Sequence, residues 1–193
     1  MKKFLCLLLL VALCVTGVGC SKQNLTGLHH VQIDVQDYGT ILVELDADTA
    51  PITVTNFVNL VKDGFYNGLT FHRIMDGFMV QGGDPNGNGS GGSKEKITGE
   101  FSTNNIANNI LHERGVISMA RQSGDNNSAS CQFFIMHATD PSLDSKYAAF
   151  GHVTEGMDVV DAICAAARPY DNNGSIFPEE QPVITSITVV SAQ

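Results

Sequence analysis

The chain has 193 residues, of which 43% are hydrophobic and 16% are charged, so its composition is that of an ordinary globular protein. That length predicts a single domain with room for a buried core. The formal net charge of −9 argues against a nucleic acid partner, because proteins that bind phosphate backbones usually carry a basic surface.

The N-terminus has the pattern of an export signal. Two lysines precede an apolar run over residues 4–15, and small residues then lead to Cys20. This order is typical of a secretory signal peptide, and the run is too short for a comfortable membrane span. The junction "TGVGC" resembles a bacterial lipobox, although Gly17 stands where Leu is usual. We predict a signal peptide over residues 1–19 and lipidation of Cys20, with a plain secreted protein as the alternative.

A short tether over residues 20–29 is predicted to join this signal to a folded domain over residues 30–193. The domain opens with two strands within residues 29–46, separated by a turn at Asp37–Gly39, because apolar residues alternate along the second of them.

The next segment, residues 50–64, is predicted to be a helix. Pro51 lies in its first turn and Gly64 ends it. The apolar residues follow an i, i+3, i+4, i+7 pattern and predict a core-facing stripe of Val54, Phe57, Val58 and Val61.

The rest of the chain is predicted to be mostly strands. They span residues 69–75, 78–83, 115–121, 131–137, 148–154 and 184–190, with a glycine-rich loop at 84–96 and a second helix at 156–167. Many strands with one early and one late helix indicate a mainly β protein, an antiparallel barrel whose ends are closed by helices.

Residues 84–95, "DPNGNGSGGSKE", match the calcium-loop pattern of EF-hands, but their context argues against a metal site. A strand rather than a helix precedes them, Pro85 follows the first ligand position, and only two of the ligands are charged. We predict a flexible loop and no metal.

None of the six histidines has a metal-ligand spacing, and His112, between Leu111 and Glu113, is expected at the surface or at a strand end.

Two cysteines beyond Cys20 remain after the predicted cleavage, Cys131 and Cys164. They could pair in an oxidising compartment. Two buried free thiols are the favoured interpretation, since a single pair in a chain of this length is not a disulfide framework.

The stretch "FHRIMDGFMVQGGD", residues 71–84, places an Arg and a Gln among large apolar side chains, with no Ser or Cys nucleophile. Together with "GVISMARQSGDNNSASCQFFI" and "PSLDSKYAAFGHVTEGMDVVD", it resembles the cyclophilin-type peptidyl-prolyl cis–trans isomerases over roughly residues 38–191. The resemblance implies a closed eight-stranded antiparallel β-barrel capped by two α-helices. It also implies an isomerase that needs no cofactor.

The residue types fit that reaction. Rotation about an X–Pro bond breaks no covalent bond but faces a barrier of about 20 kcal/mol from amide resonance. A guanidinium aimed at the prolyl nitrogen or at a neighbouring carbonyl can stabilise the twisted amide over the planar one. Arg suits this role because its charge is permanent and its fork is rigid.

By the same resemblance, Arg73 is the catalytic residue. Phe78, Met79, Phe134 and Leu143 form the wall of the proline pocket; Gln81 and Ala120 hold the peptide backbone; and Gln122 lies in the adjacent groove. Tyr147 stands where the family often has His, and Ser142 where it often has Trp, which puts binding of the macrocyclic inhibitors in doubt. Phe71, Phe133 and Ile135 are left as core.

The sequence therefore predicts an exported, monomeric isomerase of the cell envelope. Its expected partners are proline-containing segments of exported proteins, and the membrane through the lipid on Cys20. The alternative is a non-catalytic module that binds proline-containing peptides at the envelope.

Overall fold

The computed structural model describes residues 23–192, so the predicted signal peptide and Cys20 lie outside the described residues. Within them the chain forms eight strands, two α-helices and three single-turn 3₁₀ helices. The strands are β1 (Leu28–Val35), β2 (Gly39–Asp46), β3 (Phe71–Met75), β4 (Met79–Gly82), β5 (Val116–Met119), β6 (Phe133–Met136), β7 (Ala149–Glu155) and β8 (Ile184–Val190), and the helices are α1 (Pro51–Lys62) and α2 (Met157–Ala166).

The strands form one antiparallel sheet in the order β3-β4-β6-β5-β7-β2-β1-β8. Its two edges meet at a short seam, where Thr70 and Val183 form an isolated bridge. At the seam the Ile184 N–H donates to the Leu69 carbonyl at 2.7 Å. The predicted eight-stranded barrel with two helices is confirmed, and only this seam closes it.

Alternation along the strands explains the barrel core. Val31 and Ile33 of β1 and Ile41, Val43 and Leu45 of β2 are buried, while the residues that alternate with them are partly exposed. The predicted stripe of α1 is also buried, and it packs with the strands in a single hydrophobic cluster. Phe71, Phe133 and Ile135 belong to that cluster, as predicted.

The start of α1 is stabilised by a residue distant in sequence. Its N-cap position is Ala50, whose side chain offers no acceptor for the free N–H groups of the first turn. Glu100, only 2% exposed, accepts hydrogen bonds from the N–H groups of Ile52 at 3.0 Å and Thr53 at 2.8 Å. A carboxylate at this end of a helix also interacts favourably with the helix dipole.

Contacts with the folded domain are present just before residue 30. β1 starts at Leu28, and the Leu25 N–H donates to the Thr55 hydroxyl at 2.7 Å.

Among residues 23–192, Cys131 and Cys164 are both buried and unpaired, as favoured from the sequence. None of the helices in this part of the chain has the length and apolar character needed to cross a membrane.

Candidate active site

Three neighbouring strands place three of the predicted residues in one row. Arg73 of β3 pairs with Gln81 of β4, and Gln81 pairs with Phe134 of β6. Because side chains alternate across a sheet, residues opposite one another share a face. Phe133 and Ile135 lie in the barrel core, so the row of Arg73, Gln81 and Phe134 lies on the outer face.

A second, smaller hydrophobic cluster covers this outer face. Met79 and Phe134 are 1% and 5% exposed within it, and further apolar side chains pack around them. The cluster leaves a cavity of about 130 Å³. Its lining contains every predicted catalytic or substrate-binding residue except Gln122, together with one residue that was not predicted, Arg121: Arg73, Phe78, Met79, Gln81, Ala120, Arg121, Phe134, Leu143 and Tyr147.

The Arg73 guanidinium at the cavity edge is held by several acceptors. Its Nε donates to the Asn173 carbonyl at 2.7 Å, and one Nη donates to Gln81 Oε1 at 3.1 Å. The remaining contacts are to sulfur, with Met75 Sδ at 3.2 Å and Met79 Sδ at 3.8 Å. Thioether sulfur is a weak hydrogen-bond acceptor, so these Arg73 N–H groups are available to donate to a stronger acceptor.

The environment of Arg73 is half-buried and partly apolar. Burial lowers the pKa of Arg73, and nearby Tyr147 and Asp171 oppose that shift. Arg still keeps its charge at any ordinary pH. The guanidinium carbon lies 6.0 Å from the centre of the Phe78 ring, which is within the range of a cation–π contact. A permanent charge at the edge of an apolar cavity acts more strongly on a bound dipole than it would in water.

Arg121 is a site residue that the sequence reasoning missed. Its guanidinium carbon lies 4.9 Å from the centre of the Tyr147 ring and 5.4 Å from that of Phe101. Its Nε donates to the Lys146 carbonyl at 2.9 Å, which fixes the segment that carries Tyr147. Arg121 therefore supports one side of the cavity. Its position directly after Ala120 was the only signal in the sequence.

His112 is buried, so the predicted surface or strand-end position is wrong. It is 1% exposed and stacks on Phe134, with the ring centres 6.0 Å apart. One ring nitrogen lies 3.0 Å from Asp144 Oδ1 and the other 3.0 Å from Ser118 Oγ. Burial lowers the pKa of His112, and Asp144 opposes that shift. The ring backs the floor of the cavity.

Gln81 connects β4 to the glycine-rich loop through Gln132. Its Nε2 donates to Gln132 Oε1 at 2.9 Å, and Gln132 Nε2 donates to the carbonyls of Gly89 at 3.1 Å and Gly91 at 2.8 Å. Gln132, which was not predicted, thus links the loop to the site. A groove of about 370 Å³ opens here, and Gln122 lies in its lining beside Ala120, as the resemblance implied.

The loop itself is organised around Asp84. This carboxylate is 1% exposed and accepts N–H bonds from Asn86 at 2.9 Å, Asn88 at 3.1 Å and Gly89 at 2.6 Å. Burial raises the pKa of Asp84, but these backbone donors outweigh burial and lower it overall. The residue that begins the EF-hand-like pattern is therefore used to hold its own loop.

A larger cavity of about 570 Å³ lies on the other side of Arg73. Its lining includes Tyr170, Asn173 and His72, and His72 is 4% exposed with neither ring nitrogen hydrogen-bonded. Burial lowers the pKa of His72. The Arg73 side chain thus stands between this polar cavity and the apolar one.

The apolar cavity can hold a compact apolar ring while the Arg73 guanidinium reaches the polar atoms next to that ring. Among the residues that line the apolar cavity there is no Ser, Cys or carboxylate side chain to act as a nucleophile. Its chemistry is therefore binding and electrostatic stabilisation, without a covalent intermediate.

Comparison with known proteins agrees with this geometry. The family described as "Cyclophilin type peptidyl-prolyl cis-trans isomerase/CLD" matches residues 30–189. "Peptidyl-prolyl cis-trans isomerase A" of Dickeya dadantii is 41% identical over 161 residues, which cover 79% of this chain and 80% of that protein. "Peptidyl-prolyl cis-trans isomerase-like 2" of Rhizopus delemar is 43% identical over 130 residues, which cover 67% of this chain but only 24% of that protein.

A solved structure shares the fold. The cyclophilin-type isomerase of Cryptosporidium parvum has a TM-score of 0.74 and 29% sequence identity, and the alignment covers 84% of this chain and 99% of that one. The barrel, the outer-face pocket and these similarities agree with one another. The chain therefore belongs to the cyclophilin-type peptidyl-prolyl cis–trans isomerases and is an enzyme of that type.

Proposed function

We propose that this isomerase acts on proline-containing segments of exported proteins while they fold, and that a lipid on Cys20 holds it at the membrane of the cell envelope. The N-terminal pattern of two lysines, an apolar run and small residues before Cys20 supports export. A tether of only a few residues would keep the active site close to the membrane surface, where exported chains emerge.

The observation that carries the catalytic part is the placement of Arg73 at the edge of the apolar cavity. A prolyl ring seated against Met79 and Phe134 would bring its amide within reach of the guanidinium N–H groups now turned to sulfur. As the amide twists, its nitrogen gains lone-pair density that a cation stabilises.

The two flanking cavities support a peptide rather than a free amino acid as the substrate. The polar cavity and the groove at Gln122 lie on either side of the apolar one. An extended chain that crosses the site would place its neighbouring residues in them. The Cryptosporidium parvum structure was solved in the presence of the dipeptide Ala-Pro, which supports a proline-containing peptide as the ligand.

A chymotrypsin-coupled assay with a short X–Pro peptide tests the catalytic part. The wild type should accelerate isomerisation, and it should also accelerate a refolding reaction that is limited by a trans-to-cis prolyl step. Arg73→Ala is the control for both. Peptide binding without turnover would instead favour the non-catalytic module.

Mass spectrometry of the mature N-terminus tests the envelope part separately. We expect cleavage before Cys20 and acylation of that residue, with the protein in the membrane fraction. Cys20→Ser should release it, because one or more acyl chains supply the anchor. An unmodified N-terminus with intact activity would reject the anchor and leave the isomerase.

A further inference from the structure

A cluster of metal-ligand side chains lies outside the cavities described above. Asp76 in the β3–β4 turn, His137 after β6 and Cys164 on α2 each place one ligand atom within 4.8 Å of the others. None of the three lines the proline cavity or either flanking cavity. Three separate elements therefore converge at one point that the isomerase reaction does not use.

The imidazole of His137 is held in one tautomer. The Gly77 N–H donates to Nδ1 at 2.9 Å, so Nδ1 carries no proton and Nε2 does. Nε2 then donates to Asp161 Oδ1 at 3.0 Å. Metal-binding histidines usually donate their second N–H to a carboxylate in this way, which orients the ring and raises its basicity.

Asp161 is itself fixed. Arg114 donates from one Nη to both of its carboxylate oxygens, at 2.7 and 2.9 Å. The other Nη of Arg114 donates to the His137 carbonyl at 2.7 Å. The support for the imidazole therefore reaches two groups beyond the ring, as it does around built metal sites.

The spacing of the nitrogen and oxygen ligand atoms suits a tetrahedral ion. His137 Nδ1 lies 3.4 Å from Asp76 Oδ1. Bonds of about 2.0–2.2 Å to nitrogen and oxygen at a tetrahedral angle place those atoms about 3.4 Å apart. The Asp76 side chain is 81% exposed and so has room to adjust. Cys164 approaches from the buried side, at 4% exposure.

We propose that Asp76, His137 and Cys164 bind Zn²⁺, with water as the fourth ligand. One nitrogen, one sulfur and one carboxylate oxygen form a ligand set that suits this borderline ion, and three protein ligands leave the fourth position open. On binding, the Cys164 thiol gives its proton to solvent and becomes a thiolate, and the metal replaces the Gly77 N–H at Nδ1.

The site also adjoins the active site through the chain. Gly77 precedes Phe78, whose carbonyl accepts hydrogen bonds from the N–H groups of His137 and Ala138. Zinc bound to Asp76 would therefore fasten the turn that carries one wall of the proline cavity. This inference does not depend on where in the cell the enzyme works.

The purified full-length protein, stripped of metal and kept reduced, provides the test. Titration with Cd²⁺ should give a thiolate-to-metal charge-transfer band that saturates at one equivalent, and Zn²⁺ should abolish it by competition. Cys164→Ser should lose the band, and Cys131→Ser, which removes the other buried thiol of the folded domain, should keep it. No band, or a band lost only in Cys131→Ser, would overturn the proposal.

Two further measurements separate ligation from folding. Asp161→Asn leaves the three ligands in place and should weaken Zn²⁺ binding about 10–100-fold while the band remains. Zn²⁺ at a hundredfold excess should raise the Tm of the wild type and of Cys131→Ser, but not that of Cys164→Ser, because only a ligand of the native state stabilises it. An equal Tm rise in all three proteins would reject the site even if a variant folds poorly.

Discussion

The proline cavity and the groove beside it are built in different ways. The cavity takes Arg73, Met79, Gln81 and Phe134 from three paired strands and its other lining residues from the segments beside them, and the floor residue Phe134 is backed by the buried ring of His112. The groove is formed largely by the backbone of the glycine-rich loop, which Asp84 and Gln132 hold through hydrogen bonds. One region is fixed by packing and the other by a few polar contacts.

This difference assigns different tasks to the two regions. A twisted amide is stabilised only if the charge is precisely placed, and strands provide such placement better than loops do. Residues that flank the proline vary from one substrate to another, and a loop can adapt to them. Variants in the cavity should therefore change kcat, and variants in the loop or on the rim should change KM or inhibitor affinity.

The largest effect is expected from a rim variant. Ser142 is exposed on a short 3₁₀ turn, and in the family a Trp at this position often donates to cyclosporin and packs against it. The loss of that ring removes about 1.5–3 kcal/mol of apolar contact and the lost hydrogen bond about 1 kcal/mol more. We expect weak inhibition of the wild type and a gain of roughly two to three decades in Ser142→Trp.

The chain has no other Trp, so the fluorescence of the variant reports binding directly. Its kcat/KM should stay near that of the wild type, because Ser142 does not line the proline cavity. Tight inhibition of the wild type would show that another residue near Ser142 donates the hydrogen bond to the inhibitor. Inhibitor binding would then not depend on the side chain at position 142.

The next effect concerns the cavity itself. Arg73→Ala should lower kcat/KM at least about tenfold, a loss of about 1.4 kcal/mol or more of transition-state stabilisation. Arg73→Lys should recover only part of it, since Lys keeps the charge but lacks the fork that Asn173 and Gln81 hold. Circular dichroism checks the fold, and turnover near the wild-type value in Arg73→Ala would contradict the electrostatic mechanism.

A smaller effect is expected from the loop. Asp84→Ala removes the acceptor for the N–H groups of Asn86, Asn88 and Gly89, so the loop should lose its shape. We expect KM to rise about fivefold for peptides that extend into the groove, an effect of about 1 kcal/mol, and a dipeptide-sized substrate to be unaffected. Asp37→Asn, in the β1–β2 turn, is the matched control. A fall in kcat with the short substrate would mean that the loop also positions the catalytic groups.

The smallest expected effect is on the pH dependence of stability. Burial lowers the pKa of His112 in the folded state, so the unfolded chain binds the proton more readily. The stabilisation is fully present above the ordinary histidine pKa and is lost as the pH falls below it. Urea unfolding between pH 7.5 and 5.5 should show this loss.

His112→Gln should show a shallower loss, although not a flat curve, because burial lowers the pKa of His72 in the same direction. His152→Gln, on the exposed side of β7, is the matched control and should keep the wild-type slope. An unchanged slope in His112→Gln would place the proton uptake elsewhere.

The strands and helices could be predicted because each has its own local pattern. The alternation from Ile41 to Leu45 and the stripe of α1 are visible without any knowledge of the partners. Arg73 and Gln81 could be placed together for a similar reason, since the short turn at Asp76–Gly77 fixes the register of the hairpin.

The features that could not be predicted depend on residues that are distant in sequence from one another. Glu100 caps a helix 48 residues away from it, and nothing near Ala50 indicates this. His112 was misplaced because its neighbours Glu113 and Arg114 are charged, whereas its partners Ser118 and Asp144 became apparent only in the fold. The sequence after Asp84 matches a calcium-loop pattern because tight backbone loops and calcium loops both favour an acidic residue followed by glycines.

The pairing of β1 with β8 has a consequence for how the chain is made. His30 lies opposite Val190, so one edge of the first strand stays unpaired until the last strand of the domain has been synthesised. Until then β1 exposes an unpaired edge, and the seam at Leu69 also lacks its partner. A pairing over so long a stretch of chain is slow to form and exposes the nascent protein to aggregation. The barrel therefore cannot close before β8 has been synthesised, and a chain that ends before Ile184 would keep both edges open.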